Sequence, residues 1–101
     1  MKTFDSKRPG EEITLTFNFA AECPAPRTIT AQRVNVEQLA GTPDPGLADM
    51  KVGSAVSQGA LVLQRIAGGV IEVDYLVVAT ITRDDGEIRE LPALLKVRRW
   101  G

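Results

Sequence analysis

The sequence predicts an all-β fold, an antiparallel β-sandwich of about seven strands. Three observations carry that reading. Apolar residues recur at every second position in several stretches, which gathers them on one face of a strand and would scatter them around a helix. Clusters of Gly, Pro, Asn and Asp interrupt those stretches at short intervals, as turns between strands do. Finally, 101 residues with 44% hydrophobic and 25% charged side chains match one ordinary globular domain. No stretch shows a sustained helical period, and there are no repeats or low-complexity tracts.

The first strand with a clean pattern places Ile13, Leu15, Phe17 and Phe19 on one face and Glu12, Thr14, Thr16 and Asn18 on the other. Pro24 and Pro26 break it. A second strand opens at Thr28 with Ile29 and Ala31 in phase, but Val34 and Val36 fall on the opposite parity. That slip predicts a bulge near Gln32 and Arg33. The short run 34–39 also fits a single helical turn. Gly41, Pro43, Asp44, Pro45 and Gly46 then end whatever precedes them.

From Leu47 to Ser57 the pattern is weak, and one short strand is expected with Ala48, Met50, Val52 and Val56 inward. Another strand covers residues 60–66. Gly68 and Gly69 open what reads as the longest strand, with Ile71, Val73, Tyr75, Val77, Ala79 and Ile81 sharing the core face. On its other face, Leu76 and Val78 suggest partial cover near the middle. Asp85-Gly86 is the strongest hairpin signal, because such a pair tolerates the positive φ of a tight turn. The last strand spans 87–98 with Leu91, Ala93, Leu95 and Val97 inward. Pro92 cannot donate to a ladder, so that strand should lie at an edge or be broken there. The resulting domain plan is an N-terminal arm over 1–10, the sandwich over 11–98 and a short tail over 99–101.

Composition narrows the chemistry. The chain has no histidine, which removes Ser-His and Cys-His nucleophile pairs and most zinc and iron sites. Cys23 is the only cysteine, so no intrachain disulfide forms, and its turn-like surroundings hold nothing that would depress a thiol pKa. Twelve basic and thirteen acidic residues give a net charge of −1, with no excess that would recruit nucleic acid or an anionic membrane. No run approaches the ~18 apolar residues of a membrane span, and the first residues lack the apolar core of a secretory signal. The expected compartment is a reducing cytoplasm.

Asp84 and Asp85 beside Gly86 read as a turn, because a calcium loop needs six or more spaced oxygens. Glu11 and Glu12 project to opposite faces and cannot converge as acid and base. Gly68 and Gly69 lack the Gly-Lys-Ser/Thr of a phosphate loop. Tyr75 reads as a core residue whose hydroxyl needs a partner. No catalytic, cofactor or metal residues are assigned, and the chain is not expected to be an enzyme. The ends are the interface candidates: Phe4 and Arg8 before the first strand, and Lys96, Arg98, Arg99 and Trp100 at the last. Trp and Arg are enriched at protein interfaces, where a large flat side chain can be fully desolvated.

Residues 72–82, with Tyr75, Val77, Ile81 and Thr82, followed by Asp85-Gly86 and then Leu95 and Val97, resemble the C-terminal hairpin of small tailed-phage virion proteins, the fiber–tail adaptors. The Ile13–Phe19 strand and the Ile29-Thr30-Ala31 start fit the same pattern. The resemblance implies an immunoglobulin/fibronectin-like sandwich in a phage or prophage particle. There it would join tail, neck or capsid components by docking on other structural proteins or on copies of itself, after synthesis in the bacterial host cytoplasm. A ligand-binding sandwich of the carbohydrate-binding kind is the alternative.

Overall fold

The structure, a computed structural model, describes residues 1–99. Seven strands form: β1 (Lys2–Thr3), β2 (Ile13–Asn18), β3 (Ile29–Ala40), β4 (Lys51–Gln58), β5 (Leu61–Ile66), β6 (Val73–Arg83) and β7 (Ile88–Val97). They divide into a four-stranded sheet ordered β1-β7-β6-β3 and a three-stranded sheet ordered β2-β5-β4. Every pairing is antiparallel except that of β1 with β7, which is parallel. The second, fifth and fourth strands stack on the seventh, sixth and third. That is the strand order of an immunoglobulin-like sandwich.

The alternation seen in sequence becomes the core. Val73, Tyr75, Val77, Ala79 and Ile81 of β6 are all fully buried. They meet Leu15 and Phe17 of β2, and Val62 and Ile66 of β5 close the same layer. On β7, Ala93, Leu95 and Val97 complete it. The hairpin forms at 84–87, with Gly86 at φ 85° and the Arg83 amide donating to the Glu87 carbonyl at 2.8 Å.

Several expectations need correction. The run 34–39 is strand, and β3 at 12 residues is longer than β6 at 11. Its parity change comes from a register shift between Ile29 and Ala31, not at Gln32 and Arg33, and a second shift lies between Gln38 and Ala40. Residues 47–57 hold a 3-10 turn, Leu47–Asp49, before β4 begins. Met50 is buried, but Val52 and Val56 are 38% and 56% exposed. A register shift between them, with Gly53 at φ 73°, turns Ala55 inward instead. β7 continues through Pro92, which pairs with Val78. β1 reaches β7 only at Ala93 and Leu94, so Pro92 sits where β7 is still an edge.

Residues 1–10 are held against the sandwich. β1 adds to β7, the Lys7 amide donates to the Lys96 carbonyl, and the Arg98 amide donates to the Lys7 carbonyl. The chain then crosses to the opposite sheet as β2.

Candidate functional site

The two ends singled out in sequence do meet, because the first ten residues run beside β7. Phe4 is half-buried, and its ring stands edge-on to Phe17 at 5.4 Å between centroids. The Lys2 ammonium lies 4.7 Å over the Phe4 ring. Arg8 is exposed and 4.0 Å from Glu11. Arg98 is committed within the fold, with Asp74 at 2.6 Å, Glu72 at 3.5 Å and the Val97 carbonyl at 2.9 Å. Lys96 projects from the outer face of the four-stranded sheet, opposite Asp74. Arg99 is exposed, and Trp100 lies outside the described residues. Arg98 therefore orders the end of β7 and is engaged within the fold.

Lys7 was missed. It is 1% exposed, and its Nζ donates to the carbonyls of Gly68 at 2.6 Å and Arg8 at 2.8 Å. Burial lowers its pKa, with the charge of Glu11 opposing the shift. A buried lysine has no signature in a pattern of apolar residues. Tyr75 has the hydroxyl partners that a core tyrosine needs: it donates to Asp44 Oδ2 at 2.8 Å and accepts from the Val70 amide at 2.9 Å. Burial is the main force pushing its pKa up to about 12, and the Asp44 carboxylate adds to it.

The paired aspartates of the hairpin are turn residues with cation partners. Asp85 binds Arg83 and accepts from the Glu87 amide, and Arg27 approaches Asp84 at 3.7 Å. Hydrogen bonding from Arg83 holds the Asp85 carboxyl well below the usual range. Among the described residues no group of acidic, cysteine or histidine side chains could hold a metal ion. Each buried side-chain nitrogen and oxygen there has a hydrogen-bond partner. Cys23 is a free, buried thiol.

The outer face of the four-stranded sheet is the most distinctive surface. Leu76 and Leu94 pair across β6 and β7, Val78 pairs with Pro92, and Thr82 with Ile88. Ile88 is 61% exposed. The alternation in sequence points to Leu76 and Val78 alone, because their neighbours depend on the β6–β7 register. No family model matches the chain, and no curated protein matches it. The class is defined by the fold alone: an immunoglobulin-like β-sandwich.

Proposed function

We propose that this chain is a non-enzymatic structural protein of a tailed-phage or prophage particle. It acts as an adaptor or decoration domain that joins tail, neck or capsid components by protein–protein docking. The observation that carries the reading is the distribution of apolar surface. Phe17, Phe19 and Tyr75 are in the core and Phe4 packs against it, while a band of Leu, Val, Pro and Ile crosses an outer sheet face. Among the described residues every aromatic ring is buried or half-buried, which favours flat contact between proteins over sugar stacking, which needs exposed rings. The adaptor-like hairpin sequence supports the same assignment.

The test is particle composition. Particles from a host carrying the gene are banded on a density gradient, and this chain is quantified against a major virion protein. A fixed ratio is expected, with loss of infectious particles when the gene is deleted. Absence of the chain from the band would overturn the proposal.

A further inference from the structure

We propose that the outer face of the β1-β7-β6-β3 sheet packs against the same face of a second copy, about a two-fold axis running along β6. This deepens the docking reading and rests on it, naming the surface and the partner.

The rows of the face follow from the register. Glu37, Leu76 and Leu94 form one row, and Asn35, Val78 and Pro92 the next. Arg33, Thr80 and Glu90 form the third row, and Ala31, Thr82 and Ile88 the fourth. On β6 the face runs Asp74, Leu76, Val78, Thr80 and Thr82, so its apolar centre is Leu76 and Val78 with Leu94 and Pro92 beside them. The flanks carry charge of both signs, Arg33 and Glu37 on β3 and Glu90 and Lys96 on β7. Among the described residues none of these four charges makes an ion pair, although Arg8, Arg27, Arg65, Arg83, Arg89 and Arg98 all do. Glu90 accepts only a long hydrogen bond from Thr80, at 3.4 Å. Within the chain, Arg33 and Glu90 are separated by β6, two strand spacings or about 10 Å.

A two-fold axis along β6 keeps each row level and swaps its flanks. β7 of one copy then lies over β3 of the other. Arg33 faces Glu90 twice, once from each side. Lys96 comes within one row of Glu37, about 7 Å along the strands and within reach of a lysine. Ile88 lies over Ala31, a large side chain over a small one. The four charges sum to zero in each copy, and Arg33 and Glu90 meet their opposites only in the swapped arrangement. Lys96 also stands beside Asp74 of its own chain, whose charge Arg98 offsets at 2.6 Å where the axis brings the two Asp74 residues together. Stacked sheets cross at about 30° because each is twisted, which displaces the corners by distances that Arg, Glu and Lys can span. The contact repeats the same patch on both copies, as two-fold interfaces do.

The test uses the full chain and two charge reversals, Arg33→Glu and Glu90→Arg, each checked for an unchanged circular dichroism spectrum and melting midpoint. Sedimentation equilibrium should show a wild-type dimer. Each single reversal sets like charges against each other twice and should raise the dissociation constant at least about tenfold. Mixing the two variants should restore association as a one-to-one heterodimer, since each reversed residue then meets its opposite. A wild-type monomer up to about 1 mM, where even a millimolar contact is half formed, would overturn the proposal. So would a dimer or larger ring indifferent to both reversals. Failure here with the chain still present in particles would leave the particle assignment standing. A swap-sensitive dimer absent from particles would remove the assignment and leave the interface.

Discussion

Two buried polar side chains carry the sharpest energetic consequences, and they respond to pH in opposite directions. The Tyr75 hydroxyl ties β6 to the 41–46 loop through Asp44, whose Oδ1 in turn accepts from the Gly46 amide at 2.8 Å. Tyr75→Phe removes that tie and leaves the Val70 amide without its acceptor, at a cost of about 1–3 kcal/mol by urea denaturation near pH 7. With a folded pKa of about 12 against an ordinary 10.0, Tyr75 is neutral in both states at pH 7, and its contribution is complete there. Above pH 10 the unfolded chain ionises first, so this contribution falls away between pH 10 and 12. The phenylalanine variant should lack that decline. Lys7 has a lowered pKa, so its native state releases the proton before the unfolded chain does. Its term raises stability with pH up to the ordinary 10.5. Lys7→Ala leaves a cavity and takes the donor from the carbonyls of Arg8, Pro9 and Gly68, and should cost about 2–4 kcal/mol. Lys7→Met keeps the volume of the stem and should cost less, and both variants should lose the alkaline rise.

Elements were legible in proportion to how one-sided their surroundings are. β2, β6 and β7 each bury one face against the opposite sheet, so their alternation is clean and their inward residues were readable. β4 is an edge strand with a bulge held by Gln64, which donates to the Gly53 carbonyl at 3.2 Å, and its phase cannot be read across that bulge. β3 also lies at an edge, with two register shifts that let 34–39 imitate a helical turn. β1 is two residues long and has no period at all. The turn that opens β6 is set by close approach instead of pattern. Gly69 has φ 98°, and an added Cβ would stand 2.8 Å from Val97 Cγ2. Both the backbone angle and the clash oppose a side chain there, so Gly69→Ala should cost about 1–3 kcal/mol. By contrast Gly10→Ala, with nothing near its Cβ position, should stay within about 0.5 kcal/mol. Thermal denaturation of the two variants side by side separates local geometry from a general dislike of lost glycines.

At the scale of the molecule, the six longer strands and the core face are visible in sequence, but β1 and the way the two sheets are joined are not. That join depends on the first residues, whose composition reads as a charged arm. Met1, Lys2, Thr3, Asp5 and Arg8 are exposed, and only Phe4 and Lys7 point to any burial role. The candidate surface was hidden for a related reason, because its residues come from β3, β6 and β7 and become neighbours only through the cross-strand register. The first segment pairs with β7 of one sheet, sets Phe4 on Phe17 of the other, and enters that other sheet as β2, so it fastens the two layers at one edge. Deleting residues 1–6 removes the β1 ladder and the Phe4 ring while leaving every residue of the other six strands. The expected loss is about 2–4 kcal/mol, combining a half-buried aromatic with a few backbone hydrogen bonds. The urea transition should remain single, because the larger β3-β6-β7 and β2-β5-β4 ladders are intact. Phe4→Ala alone should account for about half of the change. A truncated chain whose midpoint matches that of the full chain would show that the two layers hold together without this segment, and residues 1–6 would then be the dispensable arm their composition resembles.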